Sequence, residues 1–277
     1  SGVGLAFVLL FSFINFTPQG LMAQPVDDRA IAATRDVILA FVRTGDRVQD
    51  EISFAGLSGL SLALSQRTSI EPAAPFGVSL DVDELSFYPF LYWAITPGQA
   101  LPTAETLRKL NRYLEGGGLI LFDTKDAEFS QFGQSTIEEN ILKKITIGLN
   151  LPPISRITKD HVLTRSFYLL QDFPGRYAGG TVWVEASYTS KMKTAGVPFS
   201  NSNDGVTPVV IGGNDWASAW AIDGLGLPLL PVGRGVSGDR QREIALRFGI
   251  NLIMHTLTGN YKSDQVHVPA LLKRLGK

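Results

Sequence analysis

The sequence predicts an α/β protein built on a doubly wound, mostly parallel sheet, and three observations predict it. Residues 103–124 run from an amphipathic helix through a glycine stop into an apolar strand that ends on an acid. Leu107, Leu110 and Leu114 share one helical face, Thr103 suits the N-cap and Gly116 suits a left-handed closure. Leu119-Ile120-Leu121-Phe122 contains no polar residue, as expected of a strand covered on both faces. The second observation is recurrence. Strand-like runs at 37–42, 87–95 and 119–122 are each followed by a turn or loop and then by a helical pattern, an order that yields parallel strands joined by crossover helices. The third is bulk: 277 residues, 44% hydrophobic and 18% charged, are globular in composition and enough to bury a full core.

No charge occurs before Asp27, and residues 3–16 are almost continuously apolar. That length suits a signal-peptide core and is short for a free-standing span. Lacking an initiating Met and a basic start, the segment reads as the last transmembrane helix of a longer precursor. The other membrane reading is a signal peptide with an imperfect cleavage site at Leu21-Met22-Ala23, and a buried core helix is the competing structural reading. On either membrane reading, residues 1–24 enter the membrane. Residues 25–277 then form one α/β domain on the periplasmic side, because no later apolar run reaches spanning length.

Charge and cysteine content narrow the function. Lysines and arginines number 25 against 26 aspartates and glutamates, so no overall field draws the chain to nucleic acid. The absence of cysteine removes thiol nucleophiles, disulfides and thiolate metal sites together.

Along the chain, the first strand ends in Arg43-Thr44-Gly45-Asp46, a loop placed to receive an anion at the N-terminus of a helix over 48–66. One glycine is far short of a phosphate-binding loop, and no cofactor is implied. Gly56 and Gly59 would let that helix lie close on the sheet. A short strand is expected near 78–82 and a strong one over 87–95, ending in the Thr96-Pro97-Gly98 turn. After Asp123 come a polar surface loop over 125–134, a helix over 137–149 and a stop at Leu151-Pro152-Pro153. Strands at 181–185 and 208–211 flank a Gly-, Ser- and Asn-rich stretch around 196–205, read as a mobile loop. The last helix, over 239–257, is expected to be largely buried and to close at Gly259-Asn260, with residues 262–277 on the surface.

Several short runs, in fixed order, carry a resemblance: Phe41-Val42-Arg43-Thr44-Gly45-Asp46, Gly117-Gly118-Leu119-Ile120-Leu121-Phe122-Asp123-Thr124, Asp160-His161-Val162-Leu163-Thr164, Phe167-Tyr168-Leu169-Leu170, Gly212-Gly213-Asn214-Asp215-Trp216 and Phe248-Gly249-Ile250-Asn251-Leu252. Over residues 37–277 the chain resembles the bacterial family described as domain of unknown function 4159, whose fold is similar to class I glutamine amidotransferase-like, flavodoxin-like domains. The resemblance implies an envelope protein following transmembrane helices and accompanying MoxR-type ATPases and von Willebrand A-type proteins. It also implies a cleft without its nucleophile, since active amidotransferases use a cysteine at a strand-to-helix elbow and this chain has none. The Asp160-His161 run is similar to a His-Pro-Ile-Thr run that borders the cleft in relatives of the same fold, with Val162 in place of proline.

The candidate ligand-binding residues are Arg43, Asp46, Asp123, Thr124, His161, Asn214 and Asp215, expected to converge in one polar cleft at the carboxyl ends of parallel strands. Arg43 would supply a fixed positive charge for a carboxylate or phosphate, and His161, oriented by Asp160 or Asp123, would titrate near neutral pH. Each has a plainer reading. Asp123 would cap the next loop, Asn214 and Asp215 would serve turn chemistry, or Arg43 would pair with Asp123 across the sheet edge. The three histidines lack zinc spacing, and spacing gives no support to a hard cation on Asp123, Asp160 and Asp215. The expected function is a non-catalytic binding or scaffolding domain; the alternative is a hydrolase using an Asp/His pair or a bound metal.

Overall fold

The computed structural model describes residues 37–130, 135–186 and 207–274, with side chains of the last helix described to residue 259. Seven strands form one sheet: β1 (Ala40–Val42), β2 (Phe76–Val78), β3 (Phe90–Ala94), β4 (Leu119–Asp123), β5 (Ile154–Arg156), β6 (Trp183–Glu185) and β7 (Val209–Gly212). Their spatial order is β2-β1-β3-β4-β7-β6-β5. The first five are parallel, β6 runs antiparallel to β7, and β5 antiparallel to β6. In chain order the parallel strands are arranged 2-1-3-4-5, as in flavodoxin-like sheets, so the mixed α/β architecture fits that class.

Helices cover both faces, which is why the central strands show no polar alternation. On one side α1 (Arg47–Arg67), α5 (Trp216–Trp220) and α6 (Gly235–Arg274) bury Leu57, Leu60, Ala217, Trp220, Phe248 and Leu252 against Leu119 and Leu121 of β4. On the other, α2 (Ala104–Glu115) and α4 (Ile137–Thr146) bury Leu110, Leu114, Leu142 and Ile145 against Ile120 and Phe122. Thr103 caps α2 by accepting from Thr106 N at 3.1 Å, and Thr136 caps α4 by accepting from Glu139 N at 3.1 Å.

Several local expectations shift. Gly116 is not left-handed (φ −77°); Gly117 is, at φ 92°. Gly118 is demanded by space, since a Cβ there would sit 2.2 Å from the Tyr113 ring. The early short strand lies at Phe76–Val78 rather than 78–82, and the expected polar loop after Asp123 contains a short helix, α3 (Ala127–Ser130). β5 carries no apolar run because it is an edge strand with two of its three residues exposed. Helix α6 passes through Gly259 instead of stopping there: glycine permits a C-cap but costs a continuing helix only about 1 kcal/mol. Gly56 and Gly59 face α5 rather than the sheet, with a Cβ at Gly59 falling 1.9 Å from the Trp220 carbonyl oxygen. Residues 1–24 and the stretch around 196–205 lie outside the described residues. Among the described ones, no helix is long and apolar enough to cross a membrane.

Candidate functional site

Because β4 and β7 are parallel neighbours, the loops that leave them emerge together at the carboxyl edge of the sheet. β4 ends on Asp123, which is fully buried, and its carboxylate gathers donors from three directions. Oδ2 accepts from the Tyr92 hydroxyl of β3 at 2.9 Å and from Trp216 N at 2.7 Å. Oδ1 accepts from Lys125 N and from Asp215 N, both at 3.1 Å. Lys125 and Asp215 are also the two described non-glycine residues with positive φ, at 56° and 55°. The backbone turns left-handed after each strand so that its amides point back at one carboxylate. Such conformations cost L-residues roughly 1–2 kcal/mol each and persist where surrounding contacts over-determine them.

Further polar contacts from Thr124, Lys125, Asp126 and Asn214 lock the same edge. Thr124 N donates to Gly212 O at 2.8 Å, and the Thr124 hydroxyl donates to Asp126 Oδ1 at 2.5 Å. The other Asp126 oxygen accepts from the Thr136 hydroxyl at 2.5 Å. The Lys125 ammonium donates to Gln49 Oε1 on α1. Asn214 folds the 173–180 loop around itself: its amide donates to Phe173 O at 2.8 Å and its Oδ1 accepts from Gly180 N at 3.0 Å. Asp215 is 5% exposed, its Oδ1 has no hydrogen-bond partner among the described residues, and its Oδ2 lies 3.8 Å from Arg176.

Two buried carboxylates so close together cannot both carry charge cheaply. Burial, and then the neighbouring charge of Asp215, push Asp123 up to about 7 against the pull of its donors. Burial also raises Asp215, with Ser218, Lys125 and Arg176 acting the other way. The neutral tyrosine beside them is held neutral: burial, then Asp123, raise Tyr92 well above its ordinary value.

Asp123, Thr124, Asn214 and Asp215 therefore converge, as the strand topology implied, whereas Arg43, Asp46 and His161 do not join them. Asp46 caps α1, its Oδ1 accepting from Val48 N at 3.0 Å and Gln49 N at 3.2 Å, so its own carboxylate fills the proposed anion position. Arg43 turns away to lie 5.9 Å over the Phe76 ring, and among the described residues no Arg43–Asp123 ion pair forms. His161 begins the 3₁₀ turn Val162–Thr164, which Asn251 of α6 holds by donating to Leu163 O at 2.7 Å. One turn further along α6, His255 accepts from Thr207 N at 3.3 Å, ahead of β7 at the amino edge of the sheet. Burial, then the neighbouring His161, push His255 down to about 4. His161 thus belongs to the edge opposite Asp123, and burial lowers its pKa. Asp160 is exposed beside it, so neither the Asp123–His161 pair nor the Asp123–Asp160–Asp215 cation set is assembled.

Sequence reasoning missed Tyr92, Lys125, Asp126, Gln49 and Arg176. Tyr92 had a usable signal: a hydroxyl inside a wholly apolar strand needs a buried partner, and an acid one strand away in sequence is a natural acceptor. Two grooves flank the buried cluster. One of about 560 Å³ holds Arg43 beside Phe41, Phe54 and Phe76. The other, about 580 Å³, reaches Asn214 between the 171–182 segment and the first turns of α6.

The family model described as Domain of unknown function (DUF4159) matches residues 38–257, and the chain belongs to that family. No curated protein matches the sequence.

Proposed function

We propose that this member of the DUF4159 family is a binding or scaffolding module of the bacterial envelope, without catalytic turnover, held at the membrane by its N-terminal segment and facing the periplasm. One observation carries the binding reading: the buried carboxylate Asp123 is sealed from solvent and engaged by four donors that pin two loops together. A general acid or nucleophile must reach substrate, and this one is committed to shaping the carboxyl edge. The missing cysteine, read against an amidotransferase-like cleft, points the same way. MoxR-type ATPases and von Willebrand A-type proteins are the partners that the family resemblance suggests.

A second reading, hydrolysis through a carboxylate, draws on Asp215, whose left-handed strand-to-helix position and unpartnered Oδ1 resemble a strained nucleophile turn. Its Trp216 amide, the neighbouring donor such a turn would offer to an oxyanion, is already taken by Asp123. Purified protein is expected to show no turnover on amides, esters, phosphates or glycosides, with or without added divalent metal. Reproducible hydrolysis lost in Asp215→Asn would establish the second reading instead. The membrane proposal rests on the uncharged residues 3–16, and a reporter fused after Lys277 should be active on the periplasmic side. Activity confined to the cytoplasm would refute that topology.

A further inference from the structure

Helix α1 is apolar on both of its faces. The inner face buries Leu57, Leu60 and Leu64 in the core. No charge occurs between Glu51 and Arg67, so the outward face from Phe54 to Ser65 lacks the charged stripe of an ordinary surface helix, and Phe54 and Leu62 stand exposed on it. The connection between α5 and α6 runs along this side of α1. Ile222 N donates to Ala55 O at 3.3 Å, and an ideal Cβ on Gly226 would lie 3.9 Å from Leu62 Cδ2. That connection adds Leu225, Leu227 and Leu229, all exposed, and residues 224–233 carry no charge. Two elements thus join in one uncharged apolar surface, whereas a monomer ordinarily scatters its exposed apolar side chains singly.

Most donors on this surface are already engaged inside the protein. The Ser58 and Ser65 hydroxyls donate to Phe54 O at 2.8 Å and Ser61 O at 3.0 Å of their own helix. In the connection, Asp223 Oδ1 accepts from Leu225 N at 2.8 Å and Leu227 N at 2.9 Å, while Gly226 N donates to Asp223 O at 3.0 Å and Leu229 N to Ala221 O at 2.9 Å. A protein interface carries about one hydrogen bond per 100–200 Å², which donors turned inward serve poorly; hydrocarbon asks for none. Asp223 and Arg234, one acid and one base, border the uncharged stretch, so no net charge selects an anionic partner. The 20 residues 17–36 reach roughly 70 Å when extended, enough for this side of the domain to meet a bilayer that holds residues 3–16. We infer that the outward face of α1 and the 221–230 connection lie on the membrane, with Leu225, Leu227 and Leu229 entering the headgroup–acyl boundary to a depth of about 5–10 Å and spanning nothing. The inference rests on the membrane-held reading and adds to it a second contact, made by the folded domain.

Because the chain has no cysteine, a single introduced thiol can be labelled alone. Leu225, 84% exposed, and Ile147, 85% exposed at the end of α4 in the opposite layer, are matched positions. On phosphatidylcholine vesicles, the full chain with Leu225→Cys and a nitrobenzoxadiazole label should show blue-shifted emission, a several-fold rise in intensity, and quenching by lipids spin-labelled high in the acyl chain. Ile147→Cys should show none of these. Added phosphatidylglycerol or salt should change little, and so should Arg234→Gln, because apolar burial supplies the attraction. Leu227→Asp, combined with Leu225→Cys, should return the label to its emission in water. Far-UV circular dichroism should show all the variants folded. Resistance of the bound chain to alkaline carbonate reports the N-terminal anchor separately. A carbonate-resistant chain whose label at 225 stays in water would overturn this inference and leave the anchor standing; a shielded label on a chain that carbonate strips would do the reverse. Failure to bind vesicles would overturn the inference. Shielding without lipid, together with a dimeric mass, would give the face to a second copy and overturn it as well.

Discussion

Replacing Asp123 by alanine is expected to destabilise the protein by about 4–6 kcal/mol, or to prevent folding, because it leaves four buried or half-buried donors without an acceptor. Those donors are the Tyr92 hydroxyl and the amides of Lys125, Asp215 and Trp216. Two of the amides belong to left-handed residues, whose strain then loses its compensation. Asp123→Asn should cost about half as much, since one oxygen remains but the new NH₂ faces donors instead of accepting from them. The plain reading of Asp123 as a cap on the following loop is thus enlarged: it closes two loops at once. Its removal should show first in chemical denaturation, and an Asn variant as stable as the parent would contradict this account.

The same residue gives the stability a particular pH dependence. A carboxyl whose folded pKa lies above its unfolded value binds its proton more tightly in the native state. Its contribution is therefore fully present below the unfolded value and is lost as pH rises through the folded one. For Asp123 that window runs from 3.8 to about 7. The size is on the order of a few kcal/mol. His255 works in the opposite sense: held down from 6.5 to about 4, it is buried neutral and loses stability as pH falls through that range. The wild-type curve mixes the two, so the diagnostic quantity is the stability difference between wild type and Asp123→Asn. That difference should shrink as pH rises from about 5 to about 8. A gap that widens over the same range would mean that Asp123 is ionised throughout.

The second large effect is expected at Gly59. In an exposed helix interior, glycine to alanine stabilises by roughly 1 kcal/mol. Here the sign should reverse, with a loss of more than about 4 kcal/mol, because the new Cβ meets backbone and backbone cannot rotate away. Its ideal position lies 1.9 Å from the Trp220 carbonyl oxygen and 3.2 Å from Ile222 Cγ2. Helix α5 has nowhere to retreat: Trp220 Nε1 donates to Ala245 O at 2.7 Å, and Gly249 of α6 admits the Trp220 ring and the Leu60 side chain. Ser58→Ala, one position earlier on the partly exposed side of the same helix, serves as the control and should be nearly neutral. Comparable thermal midpoints for Gly59→Ala and Ser58→Ala would show that the helices can separate, and that the close approach is not a condition of the fold.

The sequence by itself determined the elements whose signal is local. Helical patterning marked α1, α2 and α4, with the Thr103 cap read only for α2, and apolar runs marked β3 and β4, because a strand covered on both faces is apolar along its length. Their succession also implied parallel neighbours, and hence the meeting of Asp123 and Thr124 with Asn214 and Asp215, since strands pointing the same way release their loops at the same edge. Tertiary structure alone decided the rest. β5 is held by antiparallel pairing with β6 rather than by burial, which leaves no pattern in its residues. The amino-edge position of His161 follows from the Asn251–Leu163 contact across 88 positions, and nothing near His161 announces it. The donors that fix Asp123 are three backbone amides and one hydroxyl: every residue but proline carries such an amide, so its direction becomes legible only when φ and ψ are known.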